Sequence, residues 1–152
     1  MTDDTCLCTG LRQAAHAMTA IYDEALAPSG LKITMFRVIR RLSEAGEPTI
    51  TELAAIVDLD RSSLGRNLKV LERDGLVALS GGEDERKKVV RLTRKGKTAL
   101  AKAKPLWLGV QRRMKAKLSA EADALLRMMS VVKAELGQGN SGAIGYLRGL
   151  PE

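Results

Sequence analysis

Apolar positions along this chain recur mostly at three- and four-residue intervals, the period of amphipathic helices, and only briefly in the alternation of strands. Leu7, Leu11, Ala15, Met18, Tyr22 and Leu26 share one face of a first helix, which Ala27-Pro28-Ser29-Gly30 ends. A second helix has Thr34 as its expected cap, Met35, Phe36, Val38, Ile39 and Leu42 inward, and Gly46 at its end. After an extended Pro48-Thr49-Ile50, Thr51 is the expected cap of a third helix, Glu52 to Val57, with Glu52 in its first turn. Asp58-Leu59-Asp60 reads as a tight turn. Asp60 then caps a fourth helix, Arg61 to Asp74, with Leu64, Leu68 and Leu71 buried and Gly75 as a left-handed terminator.

The period changes after Gly75. Leu76 to Ser80 suits a strand, Gly81 to Glu85 a loop, and Lys88 to Leu92 a returning strand. Thr93 caps a long helix from Arg94 to about Leu118, which Pro105 is expected to interrupt and kink near Ala101 to Lys104. Ser119 opens a last helix with Ala122, Leu125, Leu126, Met129, Val132 and Leu136 apolar. Helix, turn, helix, strand, loop, strand is the order of a winged helix-turn-helix, in which the turn lets the second helix project into a DNA major groove. The fold class expected is mainly α with a small β wing, flanked by N- and C-terminal dimerisation helices. The expected divisions are 1–30 as an N-terminal helix of the dimerisation region, 31–98 as the DNA-binding module, 99–137 as the C-terminal dimerisation helices, and 138–152 as a flexible tail. The end helices carry apolar stripes too long for the central module to cover, so two-fold packing into a homodimer is expected.

Charge sharpens this picture. Between Arg61 and Lys104 lie thirteen Lys or Arg and five Asp or Glu, a surplus of +8, whereas the rest of the chain holds twelve and thirteen. The entire positive excess sits on the fourth helix, the hairpin and the start of the long helix, the footprint of a partner made of phosphates. On the fourth helix Arg61, Ser62, Ser63, Arg66, Lys69 and Arg73 lie off the leucine stripe. Arg suits guanine edges, Ser a base or phosphate, and Lys a phosphate. Double-stranded DNA is therefore the expected partner, and the basic hairpin, with Asp84, Arg86, Lys87 and Lys88, is shaped to reach a minor groove.

Other classes find less footing. Apolar residues are 45% and charged residues 28%, ordinary for a folded domain, and aromatics are only 3%, which favours an aliphatic helical core over a β-sandwich. No apolar run nears the roughly 18 residues of a membrane span, and the acidic start Met1-Thr2-Asp3-Asp4 is not a secretory signal. Cys6 and Cys8, one residue apart, make no disulfide framework. A cytoplasmic protein without membrane contact, cofactor or metal site is expected.

Asp84-x-Arg86, then Leu92-Thr93 and Gly96, resembles the wing signature of the MarR-type transcriptional regulators. Leu53-Ala54 and Leu71-Glu72-Arg73-Asp74-Gly75-Leu76-Val77 are similar to the same family, and the resemblance runs from about Leu7 to Leu136. It implies obligate dimers on pseudo-palindromic operators, with Asp84 orienting Arg86 in the minor groove. The family often has an Arg where this chain has Leu79.

The first helix adds a signal. Leu7-Cys8 with Met18-Thr19 and Tyr22 resembles the organic-hydroperoxide-sensing branch, which implies that Cys8 is an oxidant-reactive thiol; Arg12 and Met35 stand where further phenols would be expected. A Cys in the first turn of a helix gains thiolate character, though a free Cys is as often a small buried hydrophobe. Cys6 is a resolving or intersubunit partner, a metal ligand across two protomers, or incidental, and His16 an ordinary helix residue. The family also implies a small phenolic effector, for which Tyr22, Phe36, Arg40 or Arg41, and Trp107 are candidate lining residues. The leading reading is a repressor released by such a ligand or by thiol oxidation. The alternative is a cysteine peroxidase or thiol enzyme using Cys6 and Cys8, which lacks a paired base and a substrate cradle. A winged helix that binds protein or RNA instead would show an acidic or aromatic face on its fourth helix.

Overall fold

In the computed structural model, which describes residues 6–81, 84 and 87–136, the elements run in the order α1 (Leu7–Leu26), a 3-10 turn (Ala27–Ser29), α2 (Ile33–Ala45), α3 (Ile50–Val57), α4 (Arg61–Arg73), β1 (Val77–Ser80), β2 (Val89–Leu92), α5 (Arg94–Leu118) and α6 (Ala120–Leu136). The expected tail, 138–152, lies outside the described residues. The chain divides into two compact units, Met1–Val110 and Gln111–Glu152.

Within the first unit the inward stripes expected of α2, α3 and α4 meet. Phe36, Val38, Ile39, Leu42, Leu53, Val57, Leu64, Leu68 and Leu71 are buried together, closed over by Leu26, Val77, Val90, Leu100 and Ala103. No charged residue is buried among the described residues, so this core is aliphatic and aromatic and holds no ion that would need a partner. The hairpin is antiparallel, with Val77 opposite Leu92 and Ser80 opposite Val89. Pro48-Thr49 runs along its edge: the Val90 N–H donates to the Pro48 carbonyl at 2.9 Å and the Ile50 N–H to that of Lys88 at 3.0 Å. The hairpin is thereby tied to the start of α3.

Three details differ from the sequence expectation, and each has a local cause. Thr34 does not cap α2; the helix begins at Ile33 after Lys32, and the Ile33 N–H is satisfied by Asp23 Oδ1 of α1 at 2.7 Å. Thr51 does not cap α3 either. Thr49 does, in a reciprocal capping box where Thr49 Oγ1 accepts the Glu52 N–H at 3.3 Å and Glu52 Oε2 accepts the Thr49 N–H at 2.8 Å. The Thr49 N–H, and after it the Thr49 hydroxyl, which donates to the same Oε2 at 2.8 Å, holds the Glu52 carboxyl below its ordinary value. Finally, α5 runs unbroken through Pro105; Ala101 and Pro105 are both exposed, so the carbonyl that loses its donor can be hydrated.

The start of α5 is keyed to the exit of α4. Gly75 adopts φ +72°, the expected left-handed terminator. Thr93 Oγ1 donates to the Gly75 carbonyl at 2.7 Å and accepts the Gly96 N–H at 3.0 Å. A Cβ on Gly96 would lie 2.0 Å from the Leu76 carbonyl oxygen, so only glycine allows α5 to pass there.

Apolar surface remains at both ends. On α1 only Tyr22 and Leu26 are buried, while Leu7 is 83% and Leu11 49% exposed. On α6 only Ala122 is buried, and Leu125, Leu126, Met129, Val132 and Leu136 of the expected stripe are exposed. Among the described residues no helix is long and apolar enough to cross a membrane.

Candidate nucleic-acid interface

The inner face of α4 determines its outer one. With Leu64, Leu68 and Leu71 turned into the core, Arg61, Ser62, Arg66, Lys69 and Arg73 are left exposed, and Ser63 is half-buried at the boundary. The first turn is internally bonded. Asp60 Oδ1 accepts the Ser62 hydroxyl at 2.6 Å and the Ser63 N–H at 2.8 Å; the Ser62 hydroxyl first, then the Ser63 hydroxyl and N–H, hold this exposed carboxyl far below the usual carboxylate range. Arg66 Nη2 donates to Ser63 Oγ at 3.1 Å, so its guanidinium lies back along the helix toward the N-terminal turn. Arg73, at the other end, is paired with Asp74 at 3.0 Å and is less free to meet a phosphate.

The hairpin lies beside that face. Asp84 and Lys87 are exposed, and the Lys87 N–H donates to the Asp84 carbonyl at 3.0 Å, closing a turn. Lys88 is half-buried and, with Gly81 and Leu79, faces Gly65, Lys69 and Glu72 of α4 across a recess of about 350 Å³. The recess brings Lys69 and Lys88 to one side of the molecule. Leu79 packs against the core opposite Val90, which suits the apolar side chain found there. Arg86 lies outside the described residues. Sequence reasoning passed over Arg91, which bridges Glu47 at 3.4 Å and the Ser80 hydroxyl at 3.2 Å and steadies the hairpin against the α2–α3 connection. No local pattern signals a pair so far apart in sequence.

Between α2 and α5 the effector candidates partly converge. The rings of Phe36 and Trp107 are 5.7 Å apart, and the Arg40 guanidinium sits 4.7 Å over the Trp107 ring. Together with Ile33, Arg37 and Arg41 they line a cavity of about 220 Å³. Arg40 and Arg41 both reach Glu44, at 3.2 and 3.1 Å, and Arg41 is the main cause of its lowered carboxyl pKa. Arg37 instead donates to the Val57 carbonyl. Tyr22 is buried elsewhere, its phenol pushed up by desolvation, and is not among the residues lining this cavity.

The family model described as MarR family matches residues 29–87, from the end of the 3-10 turn to the hairpin. The transcriptional regulator MosR of Mycobacterium tuberculosis, solved in complex with DNA, is 40% identical, covering 86% of this chain and 96% of that one with a TM-score of 0.75. The chain belongs to the MarR family. A Bacillus subtilis (strain 168) protein, the uncharacterized HTH-type transcriptional regulator YwoH, is 31% identical over 84 residues; the match spans 55% of this chain and only 61% of that protein. The transcriptional repressor CouR, solved with p-coumaroyl-CoA, is 26% identical with a TM-score of 0.73 over 84% of this chain and 91% of its own.

In this MarR-family chain both cysteines are exposed, which sets aside a buried packing role within one protomer. Cys6 precedes α1 and Cys8 lies in its first turn. Cys6 makes no formed side-chain hydrogen bond to the helix amides, yet the nearby Thr9 hydroxyl, and after it the Thr9 and Cys8 amides, lowers its thiol pKa. His16 is exposed further along α1.

Proposed function

We propose that this MarR-family protein is a homodimeric, sequence-specific transcriptional repressor of the cytoplasm. It would hold a pseudo-palindromic operator and release it when a small aromatic ligand or thiol oxidation acts on the flanking helices. One observation carries the reading. The face of α4 turned from the core is a row of exposed Arg, Ser and Lys, beside a basic hairpin, in the stretch that holds the chain's whole positive excess. Arg61, Ser62, Ser63, Arg66, Lys69 and Arg73 are assigned to the major groove and its phosphates, and Asp84, Arg86, Lys87 and Lys88 to the wing contact. The DNA complex of MosR, at 40% identity, supports this assignment. The exposed apolar residues of α1 and α6 support the homodimer, with residues 1–30 and 99–137 as its dimerisation region and 31–98 as the DNA-binding module.

The protein performs no chemistry on DNA in this reading. Phe36, Trp107, Arg40 and Arg41 suit a flat, anionic aromatic effector, and CouR, solved with p-coumaroyl-CoA, supports a small-molecule signal. The low thiol of Cys6 supports oxidation as the other signal, with Cys8 beside it. The test is binding to the duplex upstream of the protein's own gene at several salt concentrations. Affinity should fall linearly on a log–log plot, and Arg66→Ala or Arg86→Ala should weaken binding, by about 1–3 kcal/mol if they read bases. A flat salt dependence with unchanged Arg66→Ala affinity sinks the proposal. Release by hydroperoxide against aromatic acids, in wild type, Cys6→Ser and Cys8→Ser, separates the two signals.

A further inference from the structure

We infer that a groove at the rear of the helix-turn-helix unit, between the α1–α2 connection, the α4–β1 junction and the first turns of α5, binds an organic anion with an apolar tail. The groove is open to solvent along one side and has a volume of about 810 Å³, within the range of small-molecule sites. Its wall is apolar, formed by buried Leu31 and Leu76 with half-buried Ala99, and its rim carries exposed Arg94, Lys95 and Lys102. One carboxylate, that of Asp74, lies among the lining residues, and Arg73 already holds it at 3.0 Å. Lys95 Nζ donates only to a neutral group, the Asp74 carbonyl at 2.7 Å. Arg94 and Lys102 make no ion pair among the described residues. Uncompensated cations above an apolar wall select a carboxylate or phosphate head joined to a hydrocarbon body. The rim favours it over a neutral lipid, and the wall favours it over a bare inorganic ion.

This groove shares no lining residue with the cavity at Phe36 and Trp107. Its occupant would touch the exit of α4 and the start of α5 at once, where Thr93 and Gly96 lock the two together. An anion on Lys95 would compete with the Asp74 carbonyl for the same ammonium.

Isothermal titration calorimetry of the full chain with sodium decanoate tests the site. Saturable binding of one decanoate per chain is expected, weakened about tenfold or more in the Arg94→Glu/Lys102→Glu double variant. Both side chains are exposed, and an unchanged thermal unfolding midpoint confirms that the variant is folded. Thr98→Phe, which fills the groove without altering charge, should also abolish binding, whereas Arg40→Ala should leave it unchanged. Wild type that fails to saturate, binding indifferent to the double variant and to Thr98→Phe, loss of binding in Arg40→Ala, or displacement by an equal concentration of inorganic phosphate would each overturn the inference.

Discussion

Replacing Gly96 by alanine adds one methyl group, and the structure indicates how much harm it does. The new carbon would lie 2.0 Å from the Leu76 carbonyl oxygen and 3.0 Å from both the Leu76 carbonyl carbon and Leu92 Cδ1. Carbon and oxygen do not approach closer than about 3.3 Å without strain, so α5 and β1 must part by more than about 1 Å. The oxygen cannot swing aside cheaply, because it accepts the Thr93 N–H at 3.1 Å and shares, at 3.1 Å, the Thr93 hydroxyl proton whose shorter bond is to Gly75. Overpacking of a tight site costs about 1–3 kcal/mol. Losing one or two of these hydrogen bonds adds about 1 kcal/mol each. The sum, about 2–5 kcal/mol, is a large share of the 5–15 kcal/mol typical of a whole domain.

Urea unfolding monitored by circular dichroism, at one fixed protein concentration because dimerisation shifts the midpoint, measures this loss. Gly65→Ala on α4 is the matched control. Nothing lies within 4 Å of its added Cβ, so alanine should stabilise the helix by about 0.5–1 kcal/mol. The two substitutions are chemically identical and must move the midpoint in opposite directions. If Gly96→Ala unfolds within about 1 kcal/mol of wild type, the close passage of α5 over Leu76 is not what the glycine is for.

The same geometry sets other outcomes. Thr49→Ala removes the cap oxygen of α3 and should cost about 1 kcal/mol in urea, while Thr51→Ala should be near neutral. Because the folded-state pKa of Asp60 is depressed, its contribution is fully present above the unfolded value of about 3.9 and is lost as pH falls below it. The gap in urea midpoint between wild type and Asp60→Asn should therefore hold above about pH 5 and narrow on acidification below about pH 4; a pH-independent gap would contradict the assignment. Emission from the chain's one tryptophan, Trp107, should be quenched by benzoate, with affinity about tenfold weaker in Arg40→Ala. In Cys8→Ser, iodoacetamide should alkylate Cys6 with a pH midpoint below that of a model thiol, and a normal midpoint would remove the support for Cys6 as an oxidant target.

What the sequence disclosed and what it hid divide along the range of the interactions involved. The course of α4 was legible because its cap, its leucine stripe and its glycine terminator lie within one short stretch and agree with one another. Once Leu64, Leu68 and Leu71 face inward, helical geometry alone puts Arg61, Ser62, Arg66 and Lys69 outward, so the candidate DNA face needed no tertiary knowledge. The cap of α3 was also written locally, as Thr49 three residues before Glu52, but Thr51 beside that glutamate is an equally good cap residue by type. Only the reciprocal bonds separate the two. The cap of α2 was not legible at all, since its acceptor, Asp23, belongs to another helix. The same limit governs the effector cavity. Phe36 and Trp107 were candidates by type, but the stacking of Arg40 on Trp107 and the exclusion of Tyr22 depend on how α5 lies across α2. The part of the protein that would meet DNA is thus encoded in short-range pattern, and the part that would sense a signal is encoded in packing. A substitution that alters sensing without altering operator affinity should therefore fall where α5 meets α2, in residues whose neighbours the sequence alone does not name.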